Sequence, residues 1–469
     1  MNLLKVVFIT IFFITGIVLT AITQSNNELQ DFEYRRSSLH LVLIESENFP
    51  HKETVINAYF NAPFPDNYND HRIEYLSFNP ADYPVTQEER QKAQEELYAD
   101  SDAEPLSEEE EQALTESIDS LEVNSPVLAS FLSETSSAAA DIPVAISKFF
   151  EEKKIANKLV AKWFNRKEDG SFDMNLIGKR GQYNASEMDA HIATGTARGL
   201  ASLADAGEEL IKNTFVVVNQ LFFIRNEPLA AATRDIALAG IDKIESELAR
   251  EITKTSANLI YEKSKDGYSV LALAYLYQLN WNDSVAAVFY NDLWMSENNI
   301  EIEKKQRFDT TELFQLNLIG GANARGRLIF SGDRDEKTII ETVTVRTIDN
   351  VYVRLQKEFD VFKPKVPLLT SDPITAKIGM KEGIEGGERF EVLEQVLDSE
   401  TGLTKYEKVG TVRVNRSEIW DNRYNAGEVV LNYEQNQEDD NTEINRDIDR
   451  TTFRGRSRNL YPGMLIRME

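Results

Sequence analysis

At 469 residues the chain is too long for one ordinary core, so two or three domains are expected. A formal net charge of -27 argues against nucleic acid as a partner, because phosphate backbones demand clustered Lys and Arg, and it opposes general adhesion to anionic lipid. With no cysteine, disulfides, thiolate metal sites, cysteine nucleophiles and lipid attachment at a lipoprotein cleavage site are excluded together.

Residues 1–5 carry a single positive charge at Lys5, residues 6–22 are largely apolar and uncharged, and residues 23–27 are polar. Basic start, apolar middle and polar exit form the layout of a secretory signal peptide, expected over residues 1–23. A cut after Thr23 places Ala21 and Thr23 at the small-residue positions that a signal peptidase requires. As a helix the run reaches about 26 Å against a bilayer core of roughly 30 Å, which favours cleavage over a retained anchor. No later apolar run has spanning length, so no integral membrane domain is expected after signal removal, and the product is expected in the periplasm or associated with the outer membrane.

Residues 24–84 read as a small N-terminal module or arm: a strand at 37–44, a short helix or strand at 53–60, and a fixed-shape loop at 61–70 rich in Pro, Asn and Asp. Residues 85–142 form an acidic linker, expected to be helical or partly disordered. Among its first residues Arg90 and Lys92 face a run of Asp and Glu that repels itself and cannot bury enough apolar surface to offset ordering. A calcium loop would need a central Gly and a terminal Glu at EF-hand spacing, and that spacing is missing.

Residues 143–363 read as a compact α/β domain. Ile146, Phe149, Phe150, Ile155, Leu159, Val160 and Trp163 recur at helical spacing over 144–164. A second helix is expected at 196–211, running into a buried β-branched strand at 215–219. One further helix is expected over 228–254, with Ile236, Ile241, Ile244, Leu248 and Ile252 on one side. Then follow a long strand at 268–281, a helix at 283–294, a strand at 311–319, a Gly-rich β-turn at 320–326 and a closing helix at 335–362, ended by Pro364 and Pro367. Residues 364–469 change character. Short strands at 374–380, 388–396, 406–415 and 428–433, with Gly383, Gly386 and Gly387 placed for a sharp turn, suit a small barrel or half-barrel. The fold class is therefore α+β: a mixed α/β central domain with a small all-β, barrel-like C-terminal module.

The motifs RSSL (36–39), PFPDNYNDH (63–71), AKWFNR (161–166), RGQYNASE (180–187), DAGEELI (205–211), IGMKEGI (378–384), WDNR (420–423) and YPGML (461–465) together resemble an uncharacterised family of exported bacterial envelope proteins. The resemblance spans nearly the whole mature chain apart from the acidic block. It implies export and an envelope role, and it carries no activity or catalytic residue with it.

No glycine-rich phosphate loop followed by Lys and a hydroxyl residue occurs, and the Gly-x-Ser-x-Gly pattern of a nucleophile elbow is absent. None of the four histidines sits in the two-His helical arrangement of a zinc protease. Glu187 and His191 are the best metal candidate, since residues four apart share a helix face, with Asp189 and Asp205 as further oxygens; an N-cap at Asn184 or Ser186 explains the same residues without a metal. Asp205, Glu208 and Glu209 form an acidic face read as solvated. Trp163, Phe164, Tyr183, Trp281, Trp294, Trp420 and Tyr424 could include a platform for sugar rings, although aromatics inside periodic helices are expected to fill cores. Trp420, Asp421, Arg423 and Tyr424 lie outside any periodic pattern, which makes them the candidate binding stretch. No cofactor is expected. The leading expectation is an exported, non-catalytic envelope protein that serves as a structural, assembly or docking component, with envelope proteins or further copies of itself as partners. The alternative is a secreted or periplasmic hydrolase that acts on glycans or peptides through carboxylates folding brings together.

Overall fold

The computed structural model describes residues 34–92, 141–183, 207–241, 246–327, 334–397, 404–424 and 448–469. The leader, most of the acidic block, the Glu187 and His191 pair, most of the helix expected at 196–211 and the strand expected at 428–433 lie outside the described residues. The architecture is α+β, a mixed sheet flanked by helices and followed by a closed barrel.

β1 (Ser38–Ile44) is buried along its whole length. A strand apolar on both faces belongs inside a sheet. It pairs in parallel with β4 (Thr214–Arg225), from Ser38 opposite Thr214 to Ile44 opposite Gln220, and on its other side with the short β2 (Asn69–Asp70) and β3 (Ser77–Phe78). β4 continues antiparallel to β5 (Tyr268–Leu279), which pairs antiparallel with β6 (Leu316–Arg327). The order is β2-β1-β4-β5-β6, with β3 also on β1. The segment expected to form a small N-terminal module or arm supplies β1, an inner strand of the central sheet.

Alternation along β1 and β4 sorts their side chains onto two layers. Leu39, Leu41, Leu43, Phe215 and Val217 face α1 (Lys52–Asn61) and a long closing helix, Glu336–Glu358, through Val55, Tyr59, Ile340, Val343, Val351 and Leu355. Val42, Ile44, Val216 and Val218 face α2 (residues 141–153) and α3 (Ile155–Trp163) through Ile146, Phe149, Ile155 and Leu159. The single helix expected at 144–164 is divided at Lys154, whose φ of 50° is left-handed and interrupts the turn. Beyond α3 come α4 (Asn175–Tyr183) and α5 (residues 207–212).

Residues 226–264 form two helices rather than one, α6 (Asn226–Ala239) and α7 (Glu247–Ser264), with Gly240 capping the first by donating to the Ile236 carbonyl. Ile236 and Ile252, expected to line one side of a single helix, are 68% and 57% exposed. The two helices pack on each other outside the main cores, so their periodicity finds no sheet to cover. Past β5, α8 (Asp283–Val288) runs into a π turn at Phe289–Leu293, and α9 (Ile302–Thr310) precedes β6. Here Trp163, Phe164, Phe172, Trp281, Phe289, Phe308 and Phe314 form one aromatic core, so Trp163, Phe164 and Trp281 are not a sugar platform.

β6 begins later than expected and runs through the Gly-rich segment that had the look of a turn. The closing helix, α10 (Glu336–Glu358), crosses close over this strand: a Cβ on Gly320 would meet the Phe359 ring, and one on Gly326 would meet Thr347. The glycines serve helix-on-strand approach, not chain reversal.

The C-terminal module is a closed barrel with the order β10-β11-β8-β7-β12-β9, formed by β7 (Val366–Ser371), β8 (Ile374–Ala376), β9 (Arg389–Leu397), β10 (Thr404–Val414), β11 (Thr451–Arg454) and β12 (Leu465–Met468). Closure removes open edges. Val366, Leu368, Phe390, Val392, Val412, Phe453 and Ile466 fill it. Gly383 and Gly386 have φ of 81° and 121°, as their expected place in a sharp turn requires. Among the described residues no helix is long and apolar enough to cross a membrane.

Candidate functional site

Two buried carboxyls with raised pKa values, Glu382 and Asp349, lie where the barrel meets the sheet domain. A short turn at Met380–Glu382, ended by Gly383, drives the Glu382 side chain into the junction, where it is 4% exposed. Its Oε2 accepts from the Gly379 amide at 2.8 Å and from Asn422 Nδ2 at 2.9 Å, and its Oε1 accepts from Asn67 Nδ2 at 3.1 Å. One carboxylate therefore joins the loop after α1, the barrel turn and the 420–424 loop. Burial pushes its pKa up to about 7, against the pull of Asn422, the Gly379 amide and Lys381 and with the push of Asp66. Asp349 on α10 is likewise raised, to about 6, by burial, opposed by Lys381 and the Tyr424 backbone amide. Nearby, the Tyr68 hydroxyl donates to the Phe362 carbonyl and Gln356 Nε2 donates to Tyr68.

Of the residues expected to bind, Trp420 is half-buried and its backbone is engaged: its carbonyl accepts from Met380, and its amide donates to Thr451 Oγ1. Asp421 and Arg423 pair with each other, Arg423 Nε donating to Asp421 Oδ1 at 2.8 Å. Tyr424 contributes its backbone amide to Asp349. The side chain that reaches the buried carboxylate is Asn422, which also accepts from the Lys381 amide at 2.8 Å. Sequence reasoning passed over both Asn422 and Glu382. The available signal was an acid set between two glycines, Gly379 and Gly383, in a turn flanked by Ile378 and Ile384.

A second polar node also joins the sheet domain to the barrel. Glu209 on α5 accepts from the Tyr406 hydroxyl at 2.9 and 2.8 Å and from Lys365 Nζ at 3.3 Å, and Arg36 Nε stands 3.9 Å away. Tyr406 also bonds the Tyr34 hydroxyl at 3.1 Å, and Lys365 lies over the Tyr406 ring. Burial and the Glu209 charge hold the Tyr406 hydroxyl well above its ordinary range. The acidic face read as solvated is thus taken up by the fold: Glu209 binds the barrel, and Glu208 accepts from the Trp281 indole at 2.6 Å.

The third node sits where β1 and β4 begin. His71 stacks on Trp163 with centroids 4.7 Å apart; its Nε2 meets the Leu159 carbonyl at 3.0 Å and its Nδ1 meets Arg180 at 2.8 Å. That pairing fits the neutral ring with its proton on Nε2. Burial and the Arg180 charge hold it uncharged. Trp163 donates to Thr214 Oγ1 at 2.8 Å, and Arg180 lies over the Trp163 ring. His40, completely buried on the same layer, is lowered to about 3 by burial, the Tyr75 carbonyl opposing. Among the described residues no cluster of three His, Asp or Glu is arranged to hold a metal.

No family model matches the sequence, and no curated protein matches it. The likeness to exported envelope proteins rests on the quoted motifs alone.

Proposed function

We propose that the protein is an exported, non-catalytic component of the bacterial envelope, which acts as a structural or docking element with its sheet domain and barrel held as one body. The observation that carries this reading is the junction. Glu382 and Glu209, two acids drawn into contacts between the sheet domain and the barrel, serve as acceptors between the two modules. A carboxylate with its lone pairs committed to Asn67, Gly379 and Asn422 orders a junction and has little left to offer a water or a glycosidic oxygen. The leader motivates export, and the motif likeness supports an envelope setting.

The test uses purified mature protein against glycan and peptide libraries, beside photo-cross-linking in intact cells from barrel positions such as Val409, which is exposed. The reading expects no turnover and a discrete cross-linked envelope partner or a second copy. Turnover that disappears in Glu382→Gln would replace it with the hydrolase.

A further inference from the structure

We propose that Lys162 and Arg180, with Arg72 beside them, form a binding site for a phosphate-type oxyanion at the end of the sheet where β1 and β4 begin. The cluster has three cations, Arg72, Lys162 and Arg180, and one carboxylate, Asp70, among the described residues. Asp70 is already engaged by Arg72, whose Nε reaches both carboxylate oxygens at 3.1 Å and whose terminal nitrogen reaches Oδ2 at 2.7 Å. That leaves two cations facing neutral acceptors. Lys162 Nζ donates to the Arg72 carbonyl at 2.6 Å. Arg180 donates to His71 Nδ1 at 2.8 Å, the Asp70 carbonyl at 2.7 Å and Ser38 Oγ at 3.4 Å.

The imbalance is unusual for this chain. Against an overall charge of -27, the three cations of the cluster less its one carboxylate leave a local excess of +2 among the described residues, before Arg35, which also acts on Arg180, is counted. Half-buried Lys and Arg ordinarily meet a carboxylate, because a cation removed from water needs a counter-charge. Burial holds Lys162 below its usual range and Arg180 at about 10, and Arg35 adds to the strain at Arg180. His71 cannot relieve it, since its proton already serves the Leu159 carbonyl. Among the described residues Lys162 uses one ammonium N–H and Arg180 makes no bond through Nε–H, so donors remain for a second acceptor of opposite charge. A phosphate group fits: it is doubly charged near neutral pH, and its oxygens accept from a guanidinium fork and an ammonium together. Trp163 lies beneath Arg180, and Asp70 and Arg72 beside it are part-exposed among the described residues.

A free phosphate and a phosphate on a lipid headgroup present the same oxygens to this site, and the experiment separates the two. Inorganic phosphate is titrated into the full mature chain at constant ionic strength, balanced with chloride, and the melting temperature and tryptophan fluorescence are read. The expected result is a saturable rise in melting temperature that chloride does not give, with affinity at least tenfold weaker in Lys162→Gln and in Arg180→Lys. Lys162 is half-exposed at a helix end, so its variant keeps the test open should Arg180→Lys fail to fold. Co-sedimentation with phosphatidylglycerol vesicles but not phosphatidylcholine vesicles, lost in Lys162→Gln, assigns the phosphate to a headgroup; a phosphate response without vesicle binding assigns it to a soluble ligand. No saturable response beyond that of chloride, or one undiminished in Lys162→Gln, overturns the site.

Discussion

Replacing Glu382 by Gln removes one ionisation from the centre of the junction and leaves the side chain's size unchanged. In the native protein burial raises this carboxyl from 4.5 to about 7, so between those values the folded chain keeps a proton that the unfolded chain releases. By linkage, the residue's contribution to stability is greatest below pH 4.5, falls as the pH rises and is lost above about pH 7. At about 1.4 kcal/mol per pH unit, the displacement amounts to roughly 3 kcal/mol. The Gln variant has no such slope. It carries instead a constant cost of about 1–3 kcal/mol, because its amide nitrogen must face one of the three donors that meet the carboxylate. Urea unfolding of both proteins at pH 5, 6, 7 and 8 gives the difference, in which the other acids cancel. The native protein's advantage should shrink by about 2.5 kcal/mol between pH 5 and pH 8. A difference that stays flat, or grows with pH, refutes the reasoning.

Other substitutions probe separate parts of the account. Gly326→Ala drives a Cβ into Thr347 and to 3.1 Å from the Val343 carbonyl, and calorimetry should register a loss of about 1–3 kcal/mol. Trp163→Phe deletes the bond to Thr214 Oγ1 and part of the stack on His71, which should also cost about 1–3 kcal/mol in chemical denaturation. Glu209→Ala leaves Tyr406 and Lys365 without their shared acceptor; a loss of about 2–4 kcal/mol is expected, with limited proteolysis showing cleavage between the modules before either is digested. Ile252→Ser, on an exposed helix face, should change stability by no more than about 0.5 kcal/mol.

Much of the fold was legible because strong periodicity and burial coincide. The run at 37–44 gave β1, the aromatic and branched run from Tyr268 gave β5, and alternating segments split by Gly383 and Gly386 gave the barrel. What misled was local pattern without its partner. The N-terminal segment looked like an arm because its pairing mate, Thr214, lies far along the chain, and no local signal reports such a parallel pairing. Residues 320–326 looked like a turn because glycine also marks a strand pressed by a helix, and the helix is supplied only by folding. Ile236 and Ile252 kept helical spacing although no sheet covers them.

The site was legible only in outline. The stretch around Trp420 was singled out for its irregularity and lies at the junction, where the side chain bonded to the buried Glu382 is that of Asn422, while Asp421 pairs with Arg423. Asn422 and Glu382 are ordinary polar residues in sequence, and only convergence from three segments gives them meaning. The same holds for Lys162 and Arg180, whose excess charge appears only once α3, α4 and β2 meet.

Export is the claim on which the functional reading rests, and the N-terminus of the protein recovered from fractionated cells tests it most directly. The account expects mass spectrometry to find a chain beginning at Gln24 in the periplasmic or envelope fraction. Intact Met1 on protein dissolved in the cytosol would contradict it.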